Sequence, residues 1–179
     1  MSIFTKKEKT PEQIADEKYL DALILMRKRN MRDKKAGYDI ICEIAETGDL
    51  RACVIAGQFC DYALHDPAKA YEWMRPAIEA GDLQARYYYA GMLLRGEPVK
   101  KNKKLAIQEF RALADEGVAE AMFVLGQLDE EAGKIDSALD WYYRAYEAGY
   151  APVQKHLRLM KKNGVITDYD LKPYKNKKG

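Results

Sequence analysis

Hydrophobic residues recur at three- and four-residue steps through most of the chain. In one such segment the apolar side chains are Ala138, Trp141, Tyr142 and Ala145, which would share one face of an α-helix. No segment alternates polar and apolar residues as a half-buried strand does. The pattern therefore predicts an all-α protein built from amphipathic helices.

A short motif that ends in glycine returns along the chain. Its glycines are Gly48, Gly81, Gly117 and Gly149, which are 33, 36 and 32 residues apart. A small residue follows each of the first three at the same distance, at Gly57, Ala90 and Gly126. The period predicts repeats of two helices, helix A and then helix B, with the motif glycine in the left-handed conformation that ends helix B. The small residues would let helix A approach helix B closely.

Local signals give the boundaries of the predicted helices and segments. Thr10, Pro11 and Gln13 match a capping box and predict a first helix over 11–30. The predicted N-caps of later helices are Asp66, Asn102 and Asp136. We expect a flexible N-terminus over 1–9, a single repeat domain over 10–163 with repeats at about 37–150 and a last helix over 151–163, and a basic tail over 164–179.

Charge is unevenly distributed, although the formal net charge is only +2. Residues 36–99 carry five basic and ten acidic side chains, and residues 105–150 carry three and ten. The two ends and the loop at 100–104 are basic. An acidic body favours a partner of basic character and disfavours general nucleic-acid binding.

No targeting or membrane signal is apparent in the sequence. The N-terminal residues contain no apolar core of a signal peptide, and no run of 18 apolar residues occurs. Cys42, Cys53 and Cys60 are odd in number and predict free, buried thiols. We therefore expect a cytoplasmic protein that does not associate with a membrane.

Residue types that carry catalysis are sparse. His65 and His156 are the two histidines, and neither has a partner at metal-ligand spacing. The three cysteines would lack a fourth ligand, so they are expected to pack as small hydrophobic residues. Acidic runs such as 129–131 are typical of solvated helix faces or of the lining of a groove. We predict no catalytic residue, no metal and no cofactor.

Residues 85–106 resemble a Sel1-like repeat, a relative of the tetratricopeptide repeat. The matching positions are Ala85, Gly96, Val99 and Ala106. Ala90 replaces the usual glycine, and the other periods lack the Gly-x-x-Val loop and approach tetratricopeptide length. The resemblance covers about residues 37–150. It implies a right-handed α-solenoid of antiparallel helix pairs, with N- and C-terminal capping helices whose outer faces are polar. It also implies protein binding on a concave face formed by the A helices, with no family-wide catalytic residues.

The family geometry, carried over by register from the small residues, implies which side chains face the concave side. The predicted partner-binding residues are Arg51, Val54, Gln58, Asp61, Tyr62, Gln84, Tyr87, Leu94, Arg95, Glu120, Phe123, Gln127, Glu130 and Glu131. Their apolar row, Val54, Tyr87 and Phe123, is flanked by polar rows, as a peptide-binding groove requires. The alternative is that these aromatic residues pack in the core.

The favoured function is a protein-interaction scaffold, adaptor or inhibitor that holds a protein or peptide segment, as a monomer or weak homodimer. One alternative is a nucleic-acid-associated protein that uses its basic ends, although nucleic acid is the less favoured partner. Another is an inhibitor of the antitoxin, immunity or anti-defence type, which no residue selects. A small enzyme is the least favoured hypothesis.

Overall fold

The computed structural model describes residues 10–167, except for the side chains of Pro11 and Glu12. The helices of this part of the chain are α1 (Pro11–Met26), α2 (Met31–Glu46), α3 (Leu50–Tyr62), α4 (Pro67–Glu79), α5 (Leu83–Arg95), α6 (Lys103–Asp115), α7 (Ala119–Glu131), α8 (Ile135–Glu147) and α9 (Pro152–Lys162). None of the residues in 10–167 belongs to a β-strand. The predicted all-α class is confirmed. In that same range no helix is long and apolar enough to cross a membrane.

The described residues form two compact units, one that ends at Ala85 and one that begins at Arg86. In the first unit α1 packs on α2, α2 on α3, and α3 on α4; in the second, α6, α7 and α8 pack in succession and α9 packs on α8. The single repeat domain expected over 10–163 stays a prediction. Residues 1–9 and 168–179, which include most of the predicted flexible terminus and basic tail, lie outside the described residues.

Side-chain contacts show that the helices of a pair run antiparallel. In the first unit Lys18 of α1 pairs with Glu43 of α2 at 2.6 Å, while Ala22, farther along α1, faces Gly37, which lies earlier in α2. In the second unit the hydroxyl of Ser137 donates to Asp129 at 2.6 Å, close to the turn between α7 and α8. The predicted packing in sequential helix pairs is confirmed.

The motif glycines end the B helices, which are α2, α4, α6 and α8, as the repeat pattern predicts. Their φ angles are +93° at Gly48, +81° at Gly81, +89° at Gly117 and +89° at Gly149. After Gly149 the N–H of Tyr150 donates to the carbonyl of Ala145 at 2.9 Å, which satisfies a carbonyl that the helix leaves without a partner. A residue with a side chain resists this conformation, so glycine sets where each pair ends and the next begins.

Small residues lie at the closest approaches between paired helices. A Cβ atom added to Gly126 of α7 would lie 2.6 Å from Cδ1 of Tyr142 in α8. One added to Gly57 of α3 would lie 2.8 Å from the carbonyl oxygen of Ala70 in α4. These distances are shorter than van der Waals contact, so neither position has room for a side chain without displacement of its neighbour.

Most of the predicted helix starts agree with the structure. Thr10 and Gln13 form the predicted capping box, with donor–acceptor distances of 3.0 and 3.2 Å. Asp66 accepts from the N–H of Lys69 at 2.9 Å, and Asn102 accepts from the N–H of Leu105 at 3.0 Å. These three N-caps were marked by side chains that can accept from the first turn.

Two predicted boundaries are wrong. The helix expected over 11–30 ends at Met26, because Asn30 caps a new helix, α2, by accepting from the N–H of Asp33 at 2.8 Å. Asp136 is not an N-cap but lies in the first turn of α8, whose N-cap is Lys134. There the helix starts early because Gly133, with φ +74°, turns the chain immediately after α7.

The last described residues close the core of the second unit. Val153, Leu157 and Met160 of α9 are buried with Tyr142 of α8 and Phe110 of α6. Ile166, in the first part of the segment predicted as a basic tail, is also buried in this cluster. The described part of that segment therefore belongs to the folded unit.

Replacement of two helical glycines by alanine should separate packing from helix propensity. Gly126→Ala should lower the free energy of unfolding by about 1–3 kcal/mol, because its methyl group would overlap the buried Tyr142 ring. Gly91→Ala is the matched control: its Cβ would meet only the end of the Arg95 side chain, at 3.6 Å. It should raise the free energy by up to about 1 kcal/mol. Urea titrations measure both, and equal effects at the two sites would contradict the close approach.

Candidate functional site

The predicted binding residues of the first unit lie in three different environments. Val54 is 5 % exposed and is a core residue. Arg51 is exposed at the start of α3, and Gln58 and Asp61 are partly buried. Tyr62 is 65 % exposed at the end of α3. Only part of the predicted row on α3 is therefore open to a partner.

An apolar groove lies between α1 and α3 in the first unit. It encloses about 670 Å³. The residues that line it are Leu20, Leu23, Ile24, Met26, Arg27, Lys34, Ile55, Gln58, Phe59, Tyr62 and Ala63. Seven of these are large apolar or aromatic side chains, so the surface resembles the apolar clefts that bind ligands and partner segments. Of the residues predicted from sequence, Gln58 and Tyr62 belong to this groove.

Helix α1 contributes more to the groove than the sequence pattern indicated. Leu20 and Ile24 are 58 % and 56 % exposed, which is unusual for aliphatic residues of this size on one helix face. The polar outer face expected of this capping helix stays a prediction, because the groove lies on the side of α1 that faces α3. The signal in the sequence is the run from Ala22 to Met26, which is apolar around the helix and not only along one stripe.

Arg51 is held by neighbouring acidic and aromatic side chains. Its guanidinium lies 2.7 Å from Asp49 and 3.3 Å from Asp16, and 5.1 Å from the centre of the Tyr19 ring. Asp49 is the N-cap of α3 and also accepts from the N–H of Ala52 at 3.2 Å. The hydrogen bond from Arg51 holds the pKa of Asp49 below its ordinary value. Arg51 therefore connects α1 to the start of α3.

In the second unit the apolar members of the predicted groove also contact the core. The ring of Tyr87 packs edge-on against Phe110, with centroids 5.8 Å apart. Leu94 and Phe123 are partly buried and pack against the same core cluster. Arg95 and Gln127 are exposed, as is Gln84, which lies in the part of α5 that belongs to the first unit. Much of the contact area of the Tyr87 and Phe123 side chains is therefore with the core, which was the alternative stated for these aromatic residues.

Glu130 joins three helices of the second unit. Its Oε2 atom accepts from the hydroxyl of the buried Tyr142 at 2.6 Å and lies 2.8 Å from Nε2 of His156. The ring of Phe123 meets those of Tyr142, Tyr150 and His156 at centroid distances of 5.2–5.4 Å. This arrangement links α7, α8 and α9.

The sequence contained no local signal for this network. Glu130 and His156 are 26 residues apart, and His156 was not assigned a partner. Glu130 was placed on the concave face, but one of its oxygens satisfies an internal donor. Its neighbour Glu131 is exposed, and Glu120 is partly buried.

The cysteines of residues 10–167 do not form a metal-binding cluster. Cys53 and Cys60 are buried, Cys42 is partly buried, and all three are free thiols. Burial raises the pKa of the Cys53 and Cys60 thiols, and the hydroxyl of Tyr38 lies 3.2 Å from the sulfur of Cys60. Within that range no three histidine, cysteine or acidic side chains are placed to hold a metal ion.

Adjacent glutamates in α7 allow a direct test of the internal role of Glu130. Glu130→Ala should lower the free energy of unfolding by about 1–3 kcal/mol, because the buried Tyr142 would lose its hydrogen bond to Glu130. Glu131→Ala is the matched control and should change it by less than about 0.5 kcal/mol. Chemical denaturation measures both variants. A loss of similar size at the exposed neighbour would contradict this assignment.

The lowered pKa of Asp49 predicts a pH-dependent contribution to stability. Because the pKa is lower in the folded state, the contribution is complete above the unfolded-state value of about 4 and is lost as the pH falls through the folded-state pKa. Wild type should exceed Asp49→Asn in unfolding free energy by up to about 1 kcal/mol at pH 7. The gap should narrow in urea titrations as the pH is lowered below about 4. A gap independent of pH would contradict the role of the carboxylate charge.

Comparison with known proteins places this geometry in a structural group. No family model matches the sequence. The chain is similar to a Sel1 repeat protein from Oxalobacter formigenes, with a TM-score of 0.68 and 19 % identity over 93 % of this chain and 74 % of that one. It is also similar to a protective antigen present in uropathogenic Escherichia coli strains that displays an SLR fold, with a TM-score of 0.64 and 22 % identity. That match covers 89 % of this chain and 36 % of the antigen.

A third similar structure is an immunity protein from Pseudomonas aeruginosa, with a TM-score of 0.63 and 24 % identity. The match covers 86 % of this chain and 58 % of the immunity protein. The chain thus spans less than two thirds of the length of both the antigen and the immunity protein. Two of these three are Sel1 repeat or SLR-fold proteins. The likeness extends over most of the chain and agrees with the resemblance of residues 85–106, and we conclude that this protein has the Sel1-like repeat fold.

Proposed function

We propose that this protein is an interaction module that binds a segment of another protein on the surface of its A helices, as a scaffold, adaptor or inhibitor. The observation that carries the proposal is the open apolar groove between α1 and α3. Leu20, Ile24 and Tyr62 each expose more than half of their surface there. Removal of such side chains from water on binding is a main source of affinity between proteins.

The composition of the groove favours a protein partner over a nucleic acid. Proteins that bind single strands stack bases on aromatic side chains, whereas most of the large apolar side chains of this groove are aliphatic. Aliphatic pockets are typical of surfaces that receive apolar side chains of a partner helix or strand. The basic ends of the chain keep nucleic-acid binding as the alternative, which salt dependence would reveal.

The side chains that would bind a partner of basic character lie in the second unit. Glu131 is exposed and Glu120 is partly exposed on α7, and both are available to a basic side chain. Glu130 contributes less than predicted, because it accepts from Tyr142. We further propose a reducing compartment, the cytoplasm, which suits the three unlinked thiols.

A more specific candidate is an inhibitor of the immunity type. The likeness to an immunity protein from Pseudomonas aeruginosa favours it. A bound protein whose activity falls in proportion to added chain would support this candidate. A scaffold or adaptor would leave the activity of its partner unchanged.

Replacement of the exposed apolar side chains of the groove should reduce binding of the partner. The double variant Leu20→Ser, Ile24→Ser should reduce the partner recovered by affinity capture from native cells about tenfold or more, because it deletes two exposed apolar anchors. Leu64→Ser is the matched control, since Leu64 is also an exposed leucine of the first unit and does not line the groove. Quantitative mass spectrometry measures recovery. Equal recovery with the folded double variant would count against the proposed function.

A further inference from the structure

One end of the groove between α1 and α3 is basic. Arg27, at the C-cap of α1, and Lys34, in the second turn of α2, both line the groove. The segment 27–35 that connects the two helices contains six basic side chains and one acidic side chain, Asp33. The apolar surface is therefore continuous with a strongly positive one.

Of the basic groups beside the groove, the two that line it are not neutralised within the described chain. Lys35 pairs with Asp39 at 3.1 Å, and the carboxylate of Asp33 accepts from Asn30 at 3.0 Å. Among residues 10–167, no ion pair joins Arg27 or Lys34 to a carboxylate. Their charges remain available to a group of opposite sign, and complementary charges at an interface fix register and select partners.

The shape and lining of the groove favour an amphipathic segment as its occupant. A volume of about 670 Å³ is enough for a few apolar side chains and too small for a folded domain. A helix that lies in such a groove presents side chains at three- and four-residue steps. The open sides of α1 and α3, with Leu20, Ile24 and Tyr62, would cover those side chains.

We propose, on the basis of the proposed function, that the groove between α1 and α3 binds an amphipathic helical segment of a partner protein whose apolar side chains are followed by a carboxylate. The apolar side chains would contact Leu20, Ile24 and Tyr62, and the carboxylate would bind Arg27 and Lys34. The first unit thus selects an acidic–apolar segment, while the acidic side chains of α7 remain suited to a basic one. The two surfaces would recognise different parts of a partner.

The test uses the full chain and a displayed library of random peptides about 16 residues long, enough for four helical turns. Peptides that the chain enriches would be synthesised with a fluorophore, and their dissociation constants measured by fluorescence anisotropy. We expect enrichment of apolar residues at three- and four-residue spacing together with Asp or Glu. Leu20→Ser, Ile24→Ser should weaken their binding about tenfold or more, and Leu64→Ser should not.

A charge exchange tests the basic end of the groove. Arg27→Glu, Lys34→Glu should weaken an enriched peptide about tenfold, and the same peptide with Lys in place of its acidic residues should recover most of that loss. The matched control is Lys69→Glu, an exposed lysine of the first unit that does not line the groove. Recovery by the exchanged peptide would support direct contact, because a folding defect would not be corrected by a change in the peptide.

The other outcomes overturn the inference in distinguishable ways. Peptides that need Leu20 and Ile24 but are indifferent to Arg27 and Lys34 would overturn the acidic requirement and leave the proposed function in place. Enriched peptides that are all indifferent to Leu20 and Ile24 would overturn the groove as the site, and the capture experiment above then decides the proposed function.

Two controls identify other occupants of the groove. A fluorescent 20-nucleotide single strand that binds at about 150 mM salt and is lost with the Arg27 and Lys34 variant, but not with the Leu20 and Ile24 variant, would indicate nucleic acid. Sedimentation that shows a dimer dissociated by the Leu20 and Ile24 variant would indicate a second copy of the chain. Either result would overturn the inference.

Discussion

The fold depends on the close approach of paired helices at residues with no side chain. Gly37 against Ala22, Gly57 against Ala70, and Gly126 against Tyr142 leave no space for a Cβ atom. Antiparallel helices packed this closely bury the rest of their facing surfaces, and one hairpin alone cannot bury both of its apolar sides. Each pair therefore leaves an apolar side exposed, and a further pair packs against that side. The motif glycines with positive φ then set the position of each turn.

Close packing also determines which surfaces stay open. The B helices, as in α8, place their apolar face inward, so Tyr142 and Ala145 are fully buried. The A helices are apolar on a wider arc, because they contact their own pair and the neighbouring helices. In the first unit α1 leaves Leu20 and Ile24 uncovered, and the groove with α3 is the result. Exposure of such an apolar surface to water is unfavourable in free energy, and a bound partner would cover it.

Charge differs sharply between one turn of the first unit and one helix of the second. The turn between α1 and α2 is rich in basic groups, whereas α7 ends in Asp129, Glu130 and Glu131. Two of these acids are partly used within the fold, since Asp129 accepts from Ser137 and Glu130 from Tyr142. Counts of charge along the sequence therefore overstate what α7 offers to a partner. The basic groups near the groove are less involved in internal contacts and keep more of their charge for binding.

The local sequence pattern was sufficient to predict the helices of this protein. Apolar spacing gave the helices, Thr10, Asp66 and Asn102 gave helix starts, and the motif glycines gave the ends of the B helices. Each of these signals acts within a few residues, so the sequence alone displays it. The error at Asp136 arose because an acidic residue suits both the N-cap and the first turn of a helix.

Tertiary structure alone decided which residues meet and which remain exposed. Val54 carries the same pattern as Tyr87, but its neighbours bury it. His156 reaches Glu130 because α9 returns to α7, and no spacing in the sequence encodes that distance. Leu20 and Ile24 are hydrophobic enough to be predicted as core residues. They remain exposed because no described helix covers them. Burial is a property of the packed assembly of helices, whereas helix formation is largely a property of each segment.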